Sequence, residues 1–213
     1  CAAGEMDWVA FSIAGAEAVK IMRILMLGNS YIFTNDMPKM LAELTGAEVA
    51  HHTRGGARLA EQLNPETKLG AKTQKVLVEE HWDYVVLQEM NNAPVTTREK
   101  FLQSAVALCK QIHAAGAKPV LYLTWAYQKN GVQMKKSGLD YDEMYQGLQD
   151  AYRKAAVAGD ALLADVGTAF YQHNVNRNLY ADDGSHPNEE GSRLAAEIIA
   201  EVIMDDYKSG SIL

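Results

Sequence analysis

Short apolar runs that do not alternate with polar residues limit this fold more than any other feature of the sequence. Residues 23–27 (RILML), 83–88 (DYVVLQ) and 119–124 (PVLYLT) are nearly continuous in their apolar character. A strand with one wet face alternates, so a continuous run belongs to a strand covered on both faces, as in a parallel sheet. Residues 48–52 (EVAHH) and 161–166 (ALLADV) read as two further, weaker strands. Between these runs the apolar period changes to three and four. Residues 38–44 follow Asp36, a candidate N-cap. Residues 67–80 place Leu69, Val76 and Leu77 on one side, and 97–115 place Phe101, Leu102, Ala105, Leu108 and Ile112 on one stripe that stops at Gly116. Residues 142–158 and 189–207 complete the helical set, the last opened by Pro187, Asn188 and the first-turn acids Glu189 and Glu190. Strands that alternate with helices predict a three-layer α/β/α domain of about five parallel strands with right-handed crossovers. The polar, basic stretch 126–140 is expected to be irregular, either a functional loop or a solvated insertion.

The totals exclude several classes of function. The chain has 213 residues, enough for one domain with a full core. Its net charge of -7 argues against an electrostatic grip on nucleic acid or anionic lipid. The two cysteines, Cys1 and Cys109, make neither a disulfide framework nor a CxxC site, and Cys109 sits among apolar residues as a small buried hydrophobe. Residues 8–18 are too short, and interrupted by Glu17, for a membrane span. The simpler expectation is that folding begins near Met22, with 1–21 an extension and 22–213 the domain, in a cytoplasmic protein. The alternative is an exported chain anchored by lipid on Cys1.

In an open parallel sheet, ligands bind beyond the carboxyl ends of the strands. That rule gathers Gly28, Asn29 and Ser30 after the first strand, and Thr53, Arg54, Gly55 and Gly56 after the second. Gln88, Glu89, Asn91 and Asn92 follow the third, Trp125 and Tyr127 the fourth, and ADDGSHPN (181–188) closes the set. A serine hydroxyl needs a base, and the base needs a third group to fix its tautomer. Ser30 is the candidate nucleophile and His186 the base. Asp183, three residues earlier, can fold back through Gly184 onto one ring nitrogen. Oxyanion donors are expected from the Ser30 and Gly56 N–H groups and from a side-chain amide, Gln88 or, as second choice, Asn91. No G-x-S-x-G, G-x-G-x-x-G, Walker A or H-E-x-x-H motif occurs. No cofactor or metal is therefore called for, and the remaining histidines read as structural or surface residues.

The segments ILMLGNSY, RGGARL, VVLQEMNN and DDGSHPN together resemble the four sequence blocks of the SGNH (GDSL-type) hydrolase superfamily, spread over residues 22 to about 207. The resemblance implies a flavodoxin-like sandwich, a nucleophile at Ser30, an oxyanion glycine at Gly56 and the Asp183–His186 pair. Two positions depart from the pattern. Asn29 stands where many members carry aspartate, and the third block reads Gln88–Glu89–Met90–Asn91–Asn92 in place of G-x-N-D. That block is closer to esterase branches with a glutamine there, some of them carbohydrate acetylesterases. The expected activity is hydrolysis of short acyl esters, acetyl above all, on a small molecule or a carbohydrate, with Tyr31, Trp125 and Tyr127 available to stack on a sugar. A lipolytic esterase or thioesterase with the same triad is one alternative. A binding module without chemistry is the other.

Overall fold

The computed structural model describes residues 21–173 and 178–210. The N-terminal extension, Cys1 included, lies almost wholly outside the described residues. Five strands, β1 (Arg23–Gly28), β2 (Glu48–Thr53), β3 (Tyr84–Leu87), β4 (Lys118–Leu123) and β5 (Leu162–Asp165), pair in the order β2-β1-β3-β4-β5, and every pairing is parallel. This is the flavodoxin-like order, with its topological switch between β1 and β3.

Helices alternate with the strands in the order expected. The short α1 (Ser30–Phe33) and a 3-10 turn lead into α2 (Met37–Thr45). Then come α3 (Leu59–Leu63), α4 (Lys68–Glu79), α5 (Ala93–Thr96), α6 (Arg98–Ala114), α7 (Val132–Ser137), α8 (Tyr141–Gly159), α9 (Val166–His173) and α10 (Glu189–Gly210).

The period of two along the central strands builds both cores. Leu25 and Leu27, Val85 and Leu87, and Leu121 and Leu123 face one side, where they pack with Leu59 of α3, Leu77 of α4, Phe101 of α6 and Tyr152 of α8. Ile24 and Met26, Tyr84 and Val86, and Val120 and Tyr122 face the other, against Leu41 of α2, Phe170 of α9 and Ile199 of α10. Every residue of β3 is buried, whereas edge strand β2 buries only His52, which explains its weak sequence signal.

Two local expectations change. Asp36 does not cap α2, because it sits in the left-handed region at φ 56° and its side chain makes no capping bond. The stretch 126–140 is not wholly irregular. It holds α7, which ends at Gly138 (φ 70°) and buries Met134 in the first core. Helix α8 starts at a capping box in which Asp140 and Glu143 satisfy each other's backbone N–H groups. Asn188 does cap α10, its Oδ1 accepting from Gly191 N–H at 2.8 Å. Among the described residues no helix is long and apolar enough to cross a membrane.

Gly167, in the first turn of α9, lets that helix lie against β4. A Cβ there would sit 2.5 Å from both Leu123 Cδ2 and the Thr124 carbonyl oxygen. Gly167→Ala should therefore lower the unfolding free energy by roughly 1–3 kcal/mol, read from the urea midpoint at unchanged m.

Candidate active site

The switch point places the first and third strand exits side by side, since Leu27 pairs with Leu87 at the ends of β1 and β3. The chain leaves β1 through Gly28 and turns at Asn29 into α1. Asn29 accepts from Tyr31 N–H through Oδ1 and donates through Nδ2 to the Ala57 carbonyl at 3.1 Å. This second bond accounts for asparagine at a position where aspartate is common, because a carboxylate has no hydrogen to give to Ala57. Ser30 is the first residue of α1.

Its hydroxyl meets a residue 156 positions away. Ser30 Oγ lies 2.8 Å from His186 Nε2, and His186 Nδ1 lies 2.5 Å from Asp183 Oδ2. The Asp183 carboxylate can only accept, so Nδ1 carries the ring proton and Nε2 is left to accept from Ser30. Asp183 Oδ1 also takes the N–H groups of Ser185 and His186, each at 2.9 Å. Partial burial pushes the Asp183 carboxyl up, but the His186 ring and these two N–H groups outweigh it and hold the group below its ordinary value. Gly184, at φ 66°, supplies the turn that brings Asp183 back onto the ring.

Aromatic side chains fix this loop from beneath. The Tyr31 ring stacks on Trp125 with centroids 5.0 Å apart and meets the His186 ring edge-on at 5.3 Å. Trp125 stacks in turn on Phe170 at 3.8 Å and donates from Nε1 to the Ser185 carbonyl. Asn91 Nδ2 donates to the Tyr31 hydroxyl, which bonds Ser185 Oγ at 2.6 Å. Tyr31 is 5% and Trp125 1% exposed. Neither offers a ring face to a sugar, so their expected stacking role is corrected to support of the His186 loop. Tyr127 stays half-buried.

Gln88 is also corrected. It is fully buried, its Oε1 accepts from Asn29 N–H at 2.9 Å, and its Nε2 donates to the Glu89 carbonyl. It braces the turn before Ser30 through both ends of its amide. The same contact explains Gly28, where a Cβ would lie 2.5 Å from Gln88 Oε1. Asn91, the second choice, is committed to Tyr31 and is 4% exposed. The two backbone donors fare better, because neither Ser30 N–H nor Gly56 N–H has an acceptor among the described residues. Gly56 is exposed at φ 66° with open space about a Cβ, so glycine is favoured there by backbone conformation.

Sequence reasoning gave Glu89 no role. Its carboxylate accepts from Met90 N–H at 2.7 Å and Leu59 N–H at 3.2 Å while only 2% exposed. With Asn29 on Ala57, it pins the segment that carries Gly56. The available signal was an acid two residues beyond a continuously apolar strand. Burial raises its pKa, and the two N–H groups, Arg58 and Lys100 offset this only in part.

No family model matches the chain, and no curated protein sequence does. Among solved structures, it is similar to a candidate SGNH hydrolase from Slackia heliotrinireducens at 48% identity, over 86% of this chain and all of that one, with a TM-score of 0.84. The fold is shared with the acetyl xylan esterase AlAXEase (15% identity, 84% of this chain and 98% of that one, TM-score 0.64). It is also shared with a candidate arylesterase from Agrobacterium tumefaciens str. C58 (16% identity, 87% and 99%, TM-score 0.65). The chain belongs to the SGNH hydrolases, ester hydrolases of the GDSL type.

A raised pKa in the folded state means that Glu89 stabilises the fold most below the ordinary value of 4.5, and that this contribution is lost as pH rises through the folded pKa. The difference in unfolding free energy between wild type and Glu89→Gln should therefore shrink as pH is raised from 4.5. Urea titrations over a pH series measure it, and a flat difference would contradict the assignment.

Proposed function

We propose that the protein is a serine esterase that removes short acyl groups, acetyl above all, from a carbohydrate through the triad Ser30–His186–Asp183. The observation that carries this reading is the unbroken relay from Ser30 Oγ through both His186 nitrogens to Asp183. Ser30 Oγ attacks the ester carbonyl while its proton passes to His186 Nε2. The resulting imidazolium faces Asp183, which holds the ring and stabilises its charge without taking the proton. The carbonyl oxygen becomes an oxyanion held by the Ser30 and Gly56 N–H groups. Collapse of the intermediate breaks the bond to the alcohol, which leaves with the proton from Nε2. Water, deprotonated by the same nitrogen, then cleaves the acyl-enzyme and releases the carboxylic acid and the free serine.

The carbohydrate assignment draws on the glutamine-bearing third block, on the half-buried Tyr127 as a rim contact, and on the shared fold with an acetyl xylan esterase. No loop is rich enough in Leu, Ile or Phe to line a tunnel for long acyl chains. The hydrolase domain is taken as 22–213, with 1–21 as an extension.

A fluorophosphonate probe should label the wild type and leave Ser30→Ala unlabelled; an unlabelled wild type overturns the reading. Asp183→Asn should lower kcat by about 10⁴, since the ring then loses its tautomer control. On a chain-length series of p-nitrophenyl esters, kcat/KM should peak at acetate. A peak at long chains would favour a lipolytic enzyme or thioesterase.

A further inference from the structure

The turn that follows α1 holds two successive residues in the left-handed region, Asn35 at φ 57° and Asp36 at φ 56°. Neither is glycine, and a side chain persists in that conformation only where surrounding contacts over-determine it. Asn35 has such contacts. Its Nδ2 donates to the Pro187 carbonyl at 3.1 Å and to Ser192 Oγ at 2.9 Å, which uses both amide hydrogens. A carbonyl can only accept, so the nitrogen and not the oxygen of the amide faces Pro187. Ser192 Oγ donates in turn to the Thr34 carbonyl at 3.5 Å. Asp36 differs: its side chain is exposed and makes no hydrogen bond among the described residues.

The Asn35 bonds fall beside the base. Pro187 is the residue after His186, and Asn35 gives its carbonyl the one hydrogen bond it accepts among the described residues. Ser185, the residue before His186, is held by the Tyr31 hydroxyl at 2.6 Å. Tyr31 and Asn35 both belong to the short segment that Ser30 opens, α1 and the turn after it. The base is thus gripped on either side in sequence by the segment that carries the nucleophile. The bond to Ser192 fastens the same amide to the first turn of α10, the helix into which the His186 loop runs. Asn35 takes no part in the stack of Tyr31, Trp125 and Phe170, so its hold on the loop is separate from the aromatic one.

We infer that Asn35 is a positioning residue for the base, keeping His186 Nε2 within reach of Ser30 Oγ through its bond to the Pro187 carbonyl. It touches no reacting atom and acts only through the loop. A base displaced by about 1 Å can cost on the order of 100-fold in rate, so a tie one residue from the imidazole bears directly on turnover. The inference rests on the esterase reading for its effect on rate, but not for its effect on the loop.

Glycine enters the left-handed region freely, so Asn35→Gly removes the amide and keeps the turn. On p-nitrophenyl acetate this variant should lose roughly 10- to 100-fold in kcat, with KM within about twofold of wild type. Asn35→Asp keeps the shape and tolerates the conformation but has no hydrogen to give Pro187, and its kcat should fall alike. Asp36→Gly relieves the same kind of strain one residue on, breaks no side-chain bond and should keep the wild-type kcat. Both glycine variants should melt within about 4 °C of wild type. A wild-type kcat in Asn35→Gly or in Asn35→Asp, an equal loss in Asp36→Gly, or a loss confined to KM overturns the inference. Amide hydrogen exchange adds a readout that needs no catalysis. Peptides over 181–188 should exchange roughly fivefold faster in Asn35→Gly, the worth of about one hydrogen bond, and at the wild-type rate in Asp36→Gly. Unchanged exchange in Asn35→Gly also overturns the inference. If the wild type neither hydrolyses the ester nor takes the fluorophosphonate label while exchange responds as described, the esterase reading falls and the hold of Asn35 on the His186 loop stands.

Discussion

A hydroxyl at residue 30 and an imidazole at residue 186 meet at 2.8 Å, and nearly every unusual local feature around the sheet serves to keep them there. The contact is made across a topological switch. β1 delivers Ser30, and the residues just ahead of α10, 178–188, bring His186 to it. Neither residue could be placed by its neighbours in sequence alone. Placement comes from a parallel sheet whose strands all end on one side, so residues far apart along the chain share one rim.

The exits of β1 and β3 show how the rim is made stiff. Gln88 holds Asn29, Asn29 holds Ala57, and Glu89 holds Leu59. Three side chains thus tie the nucleophile turn to the Gly56 turn through backbone atoms. Such bonds are strong when buried and costly to leave unmade. The third block of this chain supplies struts where the family pattern reads G-x-N-D, and under the proposed mechanism the oxyanion is held by backbone N–H groups.

The central strands were legible because continuous burial writes itself directly into composition: Ile24–Leu27 and Tyr84–Leu87 are apolar throughout and buried on both faces. The long helices were legible from their stripes. The short ones were not. α1, α3 and α5 have four or five residues each, too few for a period to repeat. Ser30, Asp183 and His186 were named from local chemistry, and the structure brings them together. Gln88, Tyr31 and Trp125 were named from position, and position along a strand exit does not say which way a side chain turns. Gln88 turns inward because Gly28 leaves room beside it. Tyr31 and Trp125 turn inward to stack on each other and, through Trp125, on Phe170 at the end of the second core.

The stack of Tyr31, Trp125 and Phe170 has a further consequence. It runs from the nucleophile turn into the second hydrophobic core, and Trp125 hands a hydrogen bond to the very loop that carries His186. In many enzymes the working loops are the first segments to loosen on warming. Here that loop cannot lift without parting His186 from the Tyr31 edge, Tyr180 from Phe170 and the Ser185 carbonyl from Trp125, all partners rooted in the interior, so heat should extinguish the chemistry and the fold in a single cooperative step.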